Sequence, residues 1–349
     1  MNFEELVAYA KERNCSDIHI TVGTNIAIRR YGTLEILDPA PTAQESKDMI
    51  FSVLEQSEVD EVLSGKDIDV GVMLRDETRI RVNVYHQRNN IAASIRILNQ
   101  TIPTFEELGL PPVIEDIAQK PRGLVLVTGP TGSGKSTTLA SMVEYINNKT
   151  PCHIMTIEDP IEYVYPHKKA MIHQREVGRD VESFHSALRS VLREDPDIIL
   201  VGEMRDPETI QIAITAAETG HLVFSTLHTI GAAATVDRII DVFPPHQQQQ
   251  IRIQLAMVIE GVISQQLLPT ADGHGRRAAF EVMLATPAIR AQIREAKTHQ
   301  IESTIQTSKQ LGMITMDDAL IDLYRNGEIT KEMALMYAQD QLSMKKNMF

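Results

Sequence analysis

A glycine-rich stretch at positions 129–137 reads GPTGSGKST. It directly follows the apolar run LVLV and precedes a segment with helical propensity, which is the strand–loop–helix context of a phosphate-binding loop. Its glycines let backbone N–H groups close around phosphates, and the helix start adds a favourable dipole. We expect Lys135 to neutralise phosphate charge and the Ser136 hydroxyl to ligate Mg²⁺. The predicted nucleotide-binding residues are Gly129, Pro130, Thr131, Gly132, Ser133, Gly134, Lys135, Ser136 and Thr137.

Two carboxylate-bearing segments follow other apolar runs. In DIILVGEMRD, Gly202 stands where a strand-terminal aspartate is usual, and Glu203 comes next. In HIMTIEDPIEY, the run ends at Glu158 and Asp159. We predict that Glu203 is the general base and that Glu158 is a partner of Mg²⁺ or of its waters. The alternative for both is that they cap loops or pair with arginine.

The segment GHLVFSTLH carries a histidine near each end. If the run is a strand, seven residues at roughly 3.3 Å each place the two side chains about 23 Å apart, so they cannot share a metal ion. His228 follows the strand at the edge where ligands collect in parallel sheets, and we predict that it contacts the γ-phosphate. His221 begins the strand, which favours a structural or subunit-contact role.

Arginines form a second group, in RIRVNVYHQRNNIAASIRIL. A two-residue loop at Arg88 and Asn89 would set Arg81 directly opposite Arg96 on neighbouring strands. Like charges that face each other in a hairpin repel, so an anion between them would resolve the arrangement. We predict that this anion is a phosphate of ATP bound to the same subunit or to a neighbour. Solvated surface arginines are the alternative.

The elements that must position these residues divide the chain. Residues 1–98 are predicted to form an α+β domain: a helix over 3–13, strands near 17–21 and 26–30, a helix near 42–63 and two alternating strands. A linker is predicted at 99–120, where prolines surround a capping box at Thr104 to Glu107.

From position 121 to 349, short apolar runs alternate with helical segments, which predicts an α/β domain with a largely parallel sheet. Its last part, about 287–349, is predicted to be helical, with a capping Thr315 and a stop at Asn326 and Gly327.

Composition restricts the function classes. The net charge is −13 and there is no polybasic tract, which argues against nucleic acid as a partner. Cys15 and Cys152 are isolated, so neither a disulfide framework nor a zinc ribbon is supported, and a reducing compartment is expected. The opening MNFEELVAYAKER is unlike a signal peptide, and the uncharged stretch 219–236 is too polar to span a bilayer. Any membrane association is therefore expected to be peripheral.

Taken together, five segments resemble a known superfamily. GPTGSGKSTT, TIEDPIEYVY, REVGRD, DIILVGEMRD and TAAETGHLVFSTLHT resemble the Walker A, Asp box, Walker B and His box segments of the secretion and type IV pilus ATPases. The compact form of the chain, with AIRAQIREAKTHQIESTIQT near its end, resembles the PilT-like retraction branch. At positions 291 and 292 the chain has Ala and Gln, where the usual motif AIRNLIRE has Asn and Leu.

This resemblance implies a PAS-like N-terminal domain, a RecA-like ATPase domain, a homohexamer, and arginines that approach ATP from the N-terminal domain. It supports roles in ATP and Mg²⁺ chemistry for the residues Arg81, Arg96, Lys135, Ser136, Glu158, Glu203 and His228. It also implies a cytoplasmic protein that is peripheral at the inner face of the membrane, with an inner-membrane pilus platform protein and other pilus ATPases as partners.

Three functions compete. The leading one is a motor that powers pilus retraction, and the runner-up is a motor for pilus extension or secretion on the same fold. The third is a nucleotide-gated regulatory subunit. In AIRAQIRE, Ile289 and Ile293 form one helical stripe, predicted to be core, while Arg290 and Arg294 form another, predicted to face solvent or a partner.

Overall fold

The computed structural model describes residues 2–30, 33–38, 40–98 and 101–347. The chain divides into two compact units, one of Met1–Thr101 with Pro160–Val164 and the other of Ile102–Asp159 with Tyr165–Phe349. Residues 102–120, most of the predicted linker, are thus grouped with the second unit. Asn99 and Gln100 lie outside the described residues, and the domain boundaries given above remain a proposal.

The first unit contains a six-stranded antiparallel sheet in the order β3-β2-β1-β6-β5-β4. Its strands are β1 (Cys15–Ile20), β2 (Ala27–Arg30), β3 (Thr33–Ile36), β4 (Ile68–Met73), β5 (Arg79–Gln87) and β6 (Asn90–Ile97). Its helices are α1 (Phe3–Glu12), α2 (Ala43–Phe51) and α3 (Gln56–Leu63). One face of the sheet and these helices enclose an apolar core that includes Leu6, Ile18 and Ile95.

The single helix predicted near 42–63 is wrong, because the segment forms α2 and α3. The second helix has its own start signal, in which the Glu58 carboxylate accepts a hydrogen bond from the Glu55 N–H, 2.8 Å away. Strands β3 and β4 were not predicted. All four residues of β3 are exposed at the sheet edge, so this strand lacks the alternation of buried and exposed positions that reveals most strands.

The β5–β6 hairpin has the predicted two-residue loop. Arg88 and Asn89 have φ values of 49° and 60°, as a type I′ turn requires. Gln87 pairs with Asn90, and this register places Arg81 opposite Arg96. The predicted juxtaposition of the two arginines is confirmed.

The second unit is built on a seven-stranded sheet in the order β13-β12-β7-β11-β10-β8-β9. All neighbours are parallel except β12 and β13, which are antiparallel. The strands are β7 (Gly123–Thr128), β8 (His153–Glu158), β9 (Met171–Glu176), β10 (Ile198–Val201), β11 (Leu222–Leu227), β12 (Ile259–Pro269) and β13 (Arg276–Leu284). An α+β unit followed by an α/β unit is the fold class predicted from the sequence, which is confirmed.

Helices flank this sheet and continue to the end of the described chain. They are α4 (Phe105–Leu108), α5 (Val113–Ala118), α6 (Lys135–Lys149), α7 (Phe184–Val191), α8 (Pro207–Glu218), α9 (Ala232–Asp241), α10 (Pro245–Val258), α11 (Pro287–Arg294), α12 (Ile301–Thr307), α13 (Met316–Arg325), α14 (Lys331–Tyr337) and α15 (Gln341–Asn347). Thr315 caps α13 by accepting from the Asp318 N–H, and the helix ends at Arg325 with Asn326 as its C-cap before Gly327, where the stop was predicted. Within the described ranges, no helix combines the length and apolarity that crossing a bilayer demands.

The central strands β7, β10 and β11 are buried along their whole length. Strands covered on both faces are continuously apolar, which is why these runs stand out in the sequence. Because neighbouring parallel strands end at the same edge, the residues that follow β7, β8, β10 and β11 converge there. This edge carries the phosphate loop, Glu158, Glu203 and His228.

Candidate active site

The loop between β7 and α6 is shaped by three glycines with positive φ. Gly129, Gly132 and Gly134 have φ values of 145°, 78° and 90°. A Cβ atom on Gly129 would lie 2.2 Å from the backbone oxygen of Gln265, so no other residue fits there. A Cβ atom on Gly132 would have no neighbouring atom within 4 Å, which leaves the centre of the loop open.

The polar groups of this loop fit a bound phosphate. The Ser133 hydroxyl is buried and has no hydrogen-bond partner among the described residues. Gly134 precedes α6 and supplies no side-chain cap, so the first N–H groups of the helix remain donors for a ligand. Lys135 is buried, and its Nζ donates to the carbonyl oxygens of Gly129 and Pro130 at 2.9 and 3.1 Å. The loop therefore offers backbone and hydroxyl donors of the kind that a phosphate group accepts from.

Three side chains connect this loop to β10. The Nδ1 of His228 lies 3.2 Å from Thr131 Oγ1, and its Nε2 lies 3.3 Å from Glu203 Oε2. A carboxylate only accepts, so the Nε2 atom that faces Glu203 carries a proton, in the neutral and in the charged ring alike. His228 thus links the phosphate loop directly to Glu203.

Glu203 has a second partner that the sequence pattern did not single out. Arg205 NH2 lies 2.8 Å from the same oxygen, Oε2. Burial raises the pKa of the Glu203 carboxyl, but the hydrogen bond from Arg205 and the charges of His228 and Arg205 outweigh it, and the pKa lies below its ordinary value. Glu203 is therefore ionised at neutral pH.

Glu158 is the last residue of β8, and its side chain is held by neighbours. Its Oε1 accepts from Thr156 Oγ1 at 2.6 Å and from Gln174 Nε2 at 3.1 Å. Gly202 lies against this strand, since a Cβ there would be 3.3 Å from the backbone oxygen of Ile157. A side chain at position 202 would therefore require the neighbouring strand to shift by a few tenths of an ångström.

His221 lies at the opposite end of β11. Its Nδ1 is 2.9 Å from the carbonyl oxygen of Ala216, in the last turn of α8, and 3.3 Å from the Thr219 hydroxyl. The side chain thus closes the C-terminus of that helix. Among the described residues, no group of three or more His, Cys, Asp or Glu side chains is arranged to hold a metal ion.

The two arginines of the β5–β6 hairpin already have carboxylate partners. Arg81 donates through Nε and NH2 to the Asp69 carboxylate at 3.0 and 2.6 Å. Arg96 Nε lies 3.0 Å from Asp17 Oδ1. Acidic residues on the neighbouring strands β4 and β1 thus offset the repulsion between the two arginines, and their approach to a phosphate of ATP stays a prediction.

The segment AIRAQIRE forms α11 and is only partly as predicted. Ile289 and Ile293 are buried, as expected for a core stripe. Arg290 does not face solvent, because its guanidinium donates to the Ala256 and Met257 carbonyl oxygens at 2.9 Å each. Only Arg294 of the arginine stripe is exposed.

Gln265 of β12 also contacts the phosphate loop and was not predicted from the sequence. Its amide lies between Ser133 and Thr138. The available signal was a polar residue inside the apolar run GVISQQLLP.

Comparison with known proteins shows the family of the chain. Residues 2–332 match the model of the family described as type II/IV secretion system protein. A twitching motility protein of Neisseria gonorrhoeae is 50% identical over 91% of this chain and 85% of its own length. The type IV pilus retraction ATPase PilT of Pseudomonas aeruginosa is 46% identical over 96% of this chain and 97% of its own.

A solved structure of the pilus retraction motor PilT with bound ADP superposes on this chain with a TM-score of 0.92. The two share 45% identity, and the match covers 99% of each chain. The chain therefore belongs to the type II/IV secretion system family of ATPases, in the branch of the PilT-type pilus retraction ATPases.

Proposed function

We propose that this chain is an ATP-hydrolysing motor that powers the retraction of type IV pili and hence twitching motility. The observation that carries the proposal is the path of close polar contacts from Thr131 in the phosphate loop through His228 to Glu203. Such a path makes the position of the general base depend on what occupies the phosphate loop. We take the direction of the motor, retraction rather than extension, from two similar proteins. They are the twitching motility protein of Neisseria gonorrhoeae and the retraction ATPase of Pseudomonas aeruginosa.

In this mechanism the loop holds the β- and γ-phosphates of ATP, and Lys135 neutralises their charge. Glu203 orients a water molecule and accepts its proton as the water oxygen attacks the γ-phosphorus. The bond between that phosphorus and the bridging oxygen of ADP breaks, which gives ADP and phosphate. His228 contacts both the γ-phosphate and Glu203, so the position of Glu203 depends on whether the γ-phosphate is bound.

Ser136 and Glu158 are the proposed Mg²⁺ partners. A hydroxyl and a carboxylate are hard oxygen donors, and Mg²⁺ in such sites takes its remaining ligands from phosphates and water. When bound, the ion would neutralise charge that develops on the phosphate oxygens.

Assembly and location complete the proposal. The chain acts as a homohexamer with a PAS-like domain at 1–98 and a RecA-like domain at 121–349, and Arg81 and Arg96 approach ATP bound to the same or a neighbouring subunit. It works in the cytoplasm at the inner face of the membrane, on an inner-membrane pilus platform protein and beside other pilus ATPases. The net charge of −13 supports the absence of nucleic acid from these partners.

Two measurements test the proposal. Steady-state ATP turnover by the purified chain is expected, whereas a regulatory subunit that depends on a partner motor would show little. A strain that lacks the gene should carry excess pili and fail to twitch, and only the wild-type chain, not Lys135→Ala, should restore motility. A deletion strain without pili would instead indicate the runner-up, a motor for extension.

A further inference from the structure

Strand β12 carries three consecutive polar residues in the interior of the second unit. Ser264, Gln265 and Gln266 are 0%, 1% and 6% exposed, between the buried apolar residues Ile263 and Leu268. Buried polar side chains persist only when hydrogen bonds compensate their loss of water. The hydrogen-bond partners of these three residues therefore indicate their role.

Gln265 uses both ends of its amide on the nucleotide site. Its Nε2 donates to the Ser133 carbonyl oxygen at 2.5 Å, and its Oε1 accepts from Thr138 Oγ1 at 2.8 Å. A carbonyl oxygen can only accept, so the amide orientation is determined by its partners. Ser133 is in the phosphate loop and Thr138 is in the first turns of α6, so one buried side chain joins the loop to the helix.

The bond to Ser133 sets the direction of the next backbone donor. In a planar trans peptide, the C=O and N–H groups point in opposite directions. Because the Ser133 carbonyl points at Gln265, the Gly134 N–H of the same peptide points away from Gln265. Gly134 itself adopts the left-handed conformation, with φ 90° and ψ 20°. Gln265 thus orients one of the N–H groups that a phosphate oxygen would accept from.

We infer that Gln265 is a positioning residue of the nucleotide site, which holds the phosphate loop in the shape that binds the phosphates of ATP. This inference rests on the proposed function. Gln265 acts through the backbone of the loop, so it supports interactions made in both the ground state and the transition state. Its loss changes KM and nucleotide affinity more than kcat.

The test compares Gln265→Met with a matched control on the same strand. Methionine keeps the volume of glutamine and removes both hydrogen bonds. Gln266→Met makes the same change at the next residue, whose side chain lies on the other face of the strand and donates to the Tyr337 carbonyl oxygen at 3.4 Å. Binding of ATP and ADP by calorimetry, steady-state KM and kcat, and nucleotide-free thermal melting are measured for each.

The Gln265→Met chain is expected to bind ATP about tenfold or more weakly, with a smaller change in kcat, because loss of an oriented charge-assisted donor is of this order. Gln266→Met should lower the melting temperature and leave ATP affinity unchanged. Thr138→Val removes one of the two bonds and should weaken ATP binding by a smaller factor, which keeps the test open if Gln265→Met does not fold.

Wild-type ATP affinity in both Gln265→Met and Thr138→Val, or equal losses in Gln265→Met and Gln266→Met, would overturn the assignment. Failure of the wild-type chain to bind ATP would overturn the proposed function instead. The two failures are therefore distinguishable.

Discussion

Arg290 is expected to stabilise the second unit, contrary to the solvent-facing role predicted from helical spacing. Its guanidinium has four acceptors within hydrogen-bond distance. They are the carbonyl oxygens of Ala285, Ala256 and Met257, at 3.1, 2.9 and 2.9 Å, and Glu260 Oε1 at 2.6 Å. Two of these carbonyls belong to the last turn of α10, where backbone acceptors have no partner within the helix.

The magnitude follows from the burial of this group. The Arg290 and Glu260 side chains are 26% and 20% exposed, so the ion pair is only partly screened by water. Breaking a fully buried pair by removing one partner costs about 3–5 kcal/mol. Here Lys120 Nζ remains 3.5 Å from Glu260 Oε2, so part of the compensation survives. We expect Arg290→Ala to lower the free energy of unfolding by about 2–3 kcal/mol.

The assay is thermal unfolding of the protein, monitored by far-UV circular dichroism, in which the transition of the second unit is measured. A loss of this size corresponds to a decrease in Tm of roughly 4–12 °C for a unit of more than 150 residues. Arg294→Ala is the matched control, since it makes the same substitution on the same helix at an exposed position, where about 0.5 kcal/mol or less is expected. If Arg290→Ala has the same Tm as the wild-type protein, these hydrogen bonds contribute nothing to stability and the reasoning is refuted.

The segment AIRAQIRE, which resembles the AIRNLIRE motif of the retraction ATPases, needs a test that separates protein stability from the coupling of ATP hydrolysis to retraction. A double variant of Arg290 and Arg294 that abolished motility would confuse loss of stability with loss of coupling. Arg294→Ala alone should keep ATPase activity and assembly while pilus retraction fails, if the exposed arginine meets the pilus machinery. Normal twitching motility with Arg294→Ala would show that Arg294 has no part in coupling ATP hydrolysis to retraction.

The remaining predictions concern the nucleotide site. Lys135→Ala should abolish ATP turnover in a phosphate-release assay, because it removes the charge offered to the β- and γ-phosphates; near-normal turnover would mean that the site is misassigned. Glu203→Gln should keep ATP binding and lower single-turnover hydrolysis by about 10²-fold or more, as expected for loss of a general base. Glu158→Gln should mainly raise the Mg²⁺ concentration needed for half-maximal rate, and a larger loss than for Glu203→Gln at saturating Mg²⁺ would reverse the two roles. Arg81→Ala and Arg96→Ala should each reduce hydrolysis more than stability, because both ion pairs are partly exposed and contribute at most about 1 kcal/mol; melting curves that shift while turnover stays constant would contradict this.

The sequence by itself determined those features that depend on consecutive residues. The phosphate loop is one, since its glycines, its lysine and the helix that follows are specified within a few positions. The turn at Arg88 and Asn89 is another, and the register of its hairpin follows from the turn type. The edge shared by Glu203 and His228 was also predictable, because parallel strands must end together.

Only the tertiary structure decided the partners of individual side chains. The spacing of AIRAQIRE puts Arg290 and Arg294 on one stripe, yet Arg290 meets the end of α10 and Arg294 meets solvent. Gln265 reaches a loop that lies 132 positions earlier in the chain. Periodicity tells which residues share a face of one element, but it does not contain the direction from which another element approaches. That direction is set by the packing of the whole unit. The same packing determines the ion pairs and buried hydrogen bonds that complete the site.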